Sequence, residues 1–309
     1  MRGEREARAG QPPAAALAVV VGVLLVSSVG LAAVRDRAYP RRPVDATVLY
    51  VRSGPVLQRM ALSFDALLAD VYWIRAIQHY GGTRRSADPA KRYHLLEPLL
   101  SLAVSLDPHF NIVYRFGAIF LAEPWPGGPG RPDQAIALLE RGLRARPGNW
   151  RYMQDIGFIY YWWLHDYEQA AAWFERAAAQ PGAPPWLRAL AASTLAEGGR
   201  REASRALWTA IRESAEESWL RQNAERRLRQ LDALDQRDRL QALVDRYAAA
   251  GGSRPFTWAR LIESGYLAAV PLDPEGAPFE LGEFSGTVEI APDSPLQPMP
   301  AEPPAARAR

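Results

Sequence analysis

The sequence predicts an all-α fold built as an array of antiparallel helical hairpins, and three observations carry that prediction. Apolar residues recur with the 3.6-residue helical period through most of 63–250. Small and bulky residues alternate along that period in a set order. The order itself returns at roughly 33 to 39 residues, the spacing of a stacked helical-hairpin unit. The clearest unit is 150–178. Ile156, Gly157 and Tyr160 fall on one helix face, a polar turn follows at His165 and Asp166, and Ala170, Phe174 and Ala177 share one face of a second helix. Gly157 and Ala170 are small where two helices must approach closely. Phe174 is bulky where the gap opens.

Recurrence separates this pattern from an ordinary bundle. Gly117 with Phe116 and Phe120 repeats the first half of the unit, and Ala135, Leu139, Gly142 and Pro147 repeat the second. Ala191 with Ala203, Leu207 and Ala210 forms a later copy, its turn written Glu197-Gly198-Gly199-Arg200. Leu96, Leu100, Ala103 and Pro108 form a divergent earlier one. The order resembles the tetratricopeptide repeat (TPR), which implies an α-solenoid with a concave groove. About six residues are extra between Gly117 and Ala135, and about one near Trp162 and Trp163, against the ~34-residue TPR period.

Residues 14–34, from Ala14 to Val34, form an uncharged run rich in Val, Leu and Ala, long enough for a ~20-residue membrane span. Arg2, Arg5 and Arg8 precede it in a basic tail of residues 1–13, and Arg35, Arg37, Arg41 and Arg42 follow it. Three readings compete: an uncleaved single-span anchor, a cleaved signal peptide, and a buried soluble helix. The run exceeds the apolar core of a signal peptide and has no polar face, which favours the transmembrane anchor. The flanking charges are nearly tied. A short basic N-terminus retained in the cytoplasm would leave the repeats outside it, on an inner-membrane protein with a periplasmic domain.

Residues 35–62 read as a linker with a strand-like piece at 47–51 and a breaker at Ser53-Gly54-Pro55. Ser63 is placed to cap a helix over 64–80 that turns Leu67, Val71, Ile74 and Ile77 inward and stops at Gly81-Gly82. The Pro- and Gly-rich stretch 123–130 lacks both a preceding strand and a following Gly-Lys-Ser/Thr, so it reads as a stiffened loop rather than a phosphate cradle. Its Trp125 is a candidate contact point. Residues 214–250 read as a further hairpin or an array-ending cap, with alternating charge on a solvated face.

The final part, 251–291, changes character. A short helix around Trp258 leads to Asp273-Pro274-Glu275-Gly276, a turn in which Pro presets φ and Gly tolerates a positive one. This stretch resembles the C-terminal segment of type II secretion pseudopilins. Phe279-Glu280-Leu281 and Thr287-Val288-Glu289-Ile290, linked through Gly282 and Gly286, should pair as a small β-hairpin. Residues 292–309, rich in Pro, Ala and Arg, read as a disordered tail.

Composition narrows the function. The net charge is +3, Lys91 is the sole lysine, and acids and bases are interspersed, so no nucleic-acid stripe emerges. Cysteine is absent, which removes disulfides, thiolate metal sites and thiol nucleophiles. His79, His94, His109 and His165 show no metal-ligand spacing, and no Gly-x-Ser-x-Gly elbow occurs. No catalytic residue, cofactor, metal or small-molecule substrate is therefore expected. The aromatic residues from Phe158 to Phe174 outnumber what one helix face can hold. The TPR resemblance places Arg151, Gln154, Phe158, Tyr161 and Trp162 on the groove, with Arg188 a loose counterpart of the family's groove cations. It implies a bacterial membrane-anchored scaffold that binds a protein or peptide in a cell-envelope complex. An enzyme with an unrecognised site, or a secreted periplasmic binding module, is the alternative.

Overall fold

A computed structural model describes residues 14–38, 53–252, 254 and 256–302, and the chain divides into two compact units, 1–50 and 51–309. The described part is all-α apart from one two-stranded pairing. The expected basic tail 1–13, the strand-like piece 47–51 and residues 303–309 lie outside the described residues.

In the first unit, α1 (Ala14–Ala38) is a helix of 25 residues with Arg35 and Arg37 in its last turn, where cations favour the helix dipole. Every described side chain from Val21 to Arg35 is exposed, Val26 and Leu31 among them. Among residues described with their side chains, no helix is long and apolar enough to cross a membrane. In α1 those are 21–35 and 37, short of the ~20 residues a span needs.

The second unit opens with α2 (Gly54–Met60) and α3 (Asp65–Arg85). The main series follows as α4 (Leu96–Leu106), α5 (Asn111–Ala122), α6 (Pro132–Ala145), α7 (Trp150–Ile159), α8 (Tyr167–Ala178), α9 (Trp186–Glu197), α10 (Arg201–Ser214) and α11 (Ser218–Ala249). Each helix from α3 to α10 packs on its successor in the chain. Glycines set the closest approaches. A Cβ on Gly117 would meet Leu100 and Leu138 at about 3 Å, and one on Gly142 would meet the Tyr152 and Tyr114 rings. At Gly157 it would lie 2.5 Å from the Phe174 ring, so Phe174 packs on Gly157 itself rather than where the gap opens. The extra residue near Trp162 is absorbed by a π-helical turn, Tyr160–Leu164, before His165 reverses the chain at φ 51°.

Several expectations are corrected. Ser53-Gly54-Pro55, read as the breaker after the strand-like piece, opens helix α2, because Pro fits the first helical turn. Helix α3 starts after Phe64, with Ser63 itself at φ 75°, and runs through Gly81 and Gly82 to Arg85. Arg85 Nε donates to Gly81 O and Arg84 Nη1 to the Tyr80 hydroxyl across that last stretch. Its inward face is Ala69, Tyr72, Ala76, His79 and Tyr80; Leu67, Val71, Ile74 and Ile77 point outward. Two small alanines let α4 approach, and Trp73 and Tyr80 stack on Phe120 of α5 at 5.9 and 4.2 Å.

Helix α11 is one continuous helix of 32 residues, not a hairpin. Its first half packs on Trp208 and Ile211 of α10. Its second half, through Val244 and Tyr247, closes a separate core with Phe256, Leu261, Phe279 and Val288. Here α12 (Trp258–Glu263) and the strands β1 (Glu280–Leu281) and β2 (Val288–Glu289) sit, the strands pairing antiparallel with Leu281 opposite Val288. The Asp273 turn forms as expected: its Oδ1 accepts from the backbone N–H of Glu275 and Ala277, and Gly276 takes φ 89°.

The tail from Pro292 is not disordered over its described part. Leu296 is buried, and Gln230 of α11 donates from Nε2 to the carbonyls of Leu296 and Pro298 at 2.6 and 2.9 Å. Glu302 is buried against Arg201 and Arg237, and Arg201 also holds Asp235 and Asp238. The face of α11 expected to be merely solvated is thus partly spent on an internal ion network.

Candidate functional site

Alternate helices bury one side on their hairpin partner and leave the other side free. On α5, Val113, Tyr114, Gly117, Ala118 and Leu121 go inward. Ile112, Phe116 and Ile119, spaced i, i+4 and i+7, stand outward at 48, 51 and 45% exposure. Single exposed apolar residues need no explanation, but a row of three on one helix face does.

On the neighbouring α7 the candidates differ in how free they are. Asn149 caps the helix by accepting from the Arg151 N–H, and the exposed Arg151 guanidinium lies 4.3 Å over the Trp150 ring. Gln154 is half-buried. Phe158 is half-buried with its ring edge-on to Phe174 at 5.2 Å, so it packs its own hairpin as well as facing outward. The π-helical turn rotates the next aromatics. Tyr161 is half-buried between Trp162 and Tyr167, at 4.9 and 5.5 Å, and its hydroxyl donates to the Glu197 carboxylate of α9. Burial first, and the adjoining Glu197 second, raise the Tyr161 hydroxyl well above its ordinary pKa. Trp162 is 60% exposed and is the most open aromatic of the group.

Between α5 and α7, Arg115 donates to both Asp155 oxygens at 2.5 and 3.0 Å. Burial pushes the Asp155 carboxyl upward and Arg115 pulls it back. Sequence reasoning missed this pair: the two residues lie 40 positions apart, and only the stacking of successive hairpins joins them. Arg115 is thereby committed to the protein itself rather than to a ligand carboxylate.

The remaining candidates sit elsewhere. Arg188 is exposed at the start of α9 and lines a hollow with Pro184, Pro185 and Glu217, whereas Arg151 lines another with Asn111, Arg146 and Asn149. The two cations do not share a groove wall. Trp125 is half exposed on the loop 123–130, edge-on to Tyr93, whose hydroxyl donates to the carbonyls of Pro126 and Gly127 at 3.0 and 2.9 Å. That loop is pinned to the turn before α4.

Among the described residues, no group of three or more His, Asp or Glu is placed to hold a metal. His79 and His94 approach edge-to-face at 6.1 Å, and burial lowers the His79 pKa. The arrangement can offer an apolar and aromatic surface at Ile112, Phe116 and Ile119, of which the sequence analysis named only Phe116, as part of the repeat. No protein-family model, curated protein or solved structure matches this chain.

Proposed function

We propose that this chain is a membrane-anchored, TPR-like scaffold that holds a protein partner on the free faces of α5 and α7, in a bacterial cell-envelope assembly. The observation that carries the reading is the outward row Ile112, Phe116 and Ile119, next to a helix whose outward residues include Arg151, Phe158 and Trp162. An amphipathic helix or extended peptide would bury its apolar side chains on that row, the helix-in-groove mode of recognition. Arg151 supplies a cation at one end. Aromatic residues dominate such hot spots, so Phe116 and Trp162 should contribute more than Gln154 or the pinned Tyr161. Successive packing from α3 to α11 and the contacts at Gly117, Gly142 and Gly157 support the α-solenoid reading. An anchor at Ala14–Val34 is supported by a helix of 25 residues, about 37 Å at 1.5 Å per residue, with apolar side chains exposed on every side of its described part. The repeats then lie on the periplasmic side of the inner membrane.

A photoreactive residue at position 116, in cells making the full chain, tests the partner face. The expected result is one discrete adduct at 116 and none at the exposed Glu140 of α6. Phe116→Asp should remove an adduct formed from position 162. Equal labelling from 116 and 140 would overturn the assignment of the face.

A further inference from the structure

The corner between α2 and α3 exposes more apolar surface than the rest of the helical unit gives reason for. Met60, Leu62, Phe64 and Leu67 are 61, 79, 65 and 61% exposed, and Val71 and Ile74 continue the row along α3. On α3 from Ala66 to Gln78, Asp70 is the only fully exposed charged residue. The corner is also strained: Leu62 and Ser63 take φ of 49° and 75°, a left-handed conformation for two successive residues with side chains. Such a conformation persists only where the surrounding structure holds it. Its effect here is to turn Leu62 and Phe64 out of the hairpin, away from the buried Leu57 and Ala61.

We infer that this corner is a second membrane contact, in which Met60, Leu62, Phe64 and Leu67 enter the interfacial layer of the bilayer that holds α1. The inference rests on the anchor reading above. Two features favour lipid over a protein occupant. The side chains stand where the chain turns between two helices, at the positive-φ pair Leu62 and Ser63, and a fluid bilayer needs no matching shape to receive them. The chain also limits their distance from the membrane. Only residues 39–53 separate α1 from α2, a reach of at most about 50–60 Å, so the chain keeps the corner within reach of the surface. Two weak membrane contacts on one chain reinforce each other through effective concentration. The bilayer contact would orient the helical unit, with α5 and α7 carried at a set height above the lipid.

The absence of cysteine makes the test direct. Full-length chains carrying Leu62→Cys, Leu67→Cys, Val26→Cys or Glu225→Cys are labelled with an environment-sensitive fluorophore and reconstituted in phosphatidylethanolamine–phosphatidylglycerol vesicles containing nitroxide lipids. Labels at 62 and 67 should shift to the blue and be quenched most by a shallow nitroxide, as burial about 5–10 Å deep requires. The label at 26 should be quenched by a deep nitroxide and that at 225 should not respond. Quenching at 26 with a water-like, unquenched label at 62 overturns this inference and leaves the anchor standing. No quenching at 26 overturns the anchor and the inference with it. A blue shift at 62 without quenching, accompanied by Leu62→Cys cross-links between copies, would assign the corner to self-association instead.

Discussion

Gly157→Ala sets two effects of known sign against each other. In a helix interior, alanine is favoured over glycine by about 0.8–1 kcal/mol, so propensity alone predicts a more stable protein. The contact predicts the reverse. The new Cβ would lie 2.5, 2.6 and 3.1 Å from Cε1, Cδ1 and Cζ of Phe174. That ring is fully buried and edge-packed by Phe158, so it has no free direction in which to yield. Overpacking of this kind costs about 1–3 kcal/mol, which leaves a net loss of up to about 2 kcal/mol. Phe174→Ala alone should cost about 3–5 kcal/mol through the cavity it opens. In that background the clash is gone, and Gly157→Ala should turn stabilising by about its propensity. Urea denaturation followed by far-ultraviolet circular dichroism, on all four members of the cycle, reads the result. A stabilising Gly157→Ala in the otherwise native chain, or the same shift in both backgrounds, would refute the close approach of α7 and α8.

Gln230→Ala would leave the buried Leu296 carbonyl, and the Pro298 carbonyl beside it, without their donor, a loss of about 1–3 kcal/mol; protease cleavage within 292–302 should quicken while α3 to α8 melt as before. His79 has a folded pKa below its ordinary 6.5, from burial first and His94 second. The unfolded state therefore binds more protons just below pH 6.5, so stability is full above that value and falls as the pH drops. Denaturation midpoints between pH 7 and about 5 should show that slope, and His79→Gln should flatten it; an unchanged slope would remove His79 as its source. The full chain should stay in the membrane pellet on carbonate extraction, and a reporter fused after Arg309 should be active outside the cytoplasm. Release by carbonate would refute the anchor, and activity confined to the cytoplasm would refute the orientation.

Local pattern was enough for the helical class, the turn at His165 and Asp166, the Asp273 turn and the pairing of 279–281 with 287–290, because each depends on residues a few positions apart. The Gly157–Phe174 contact was only half legible: Gly157 was read as the close approach, but Phe174 was set where the gap opens and instead packs on Gly157 itself. Trp162 and Arg151 are exposed, while Phe158 and Tyr161 are shared between surface and packing. That division depends on a π-helical turn, whose rotation the helical period does not encode. Helix α3 shows where pattern alone fails: it carries two stripes of helical period, one aliphatic and one of alanine and aromatic residues. Hydrophobicity favours the aliphatic stripe, but α4 needs the narrow side of Ala69 and Ala76 to approach, and Phe120 needs Trp73 and Tyr80 to stack on. The stretch from Pro292 shows the same limit. Its composition is that of an unfolded tail, yet Gln230, Arg201 and Arg237, 65 to 101 positions away, supply the partners that order it as far as Glu302. Sequence determined which segments are helical and where they turn, because those energies are local. Tertiary structure decided which face is buried, because that choice is made by a neighbouring helix with its own shape and unpaired groups.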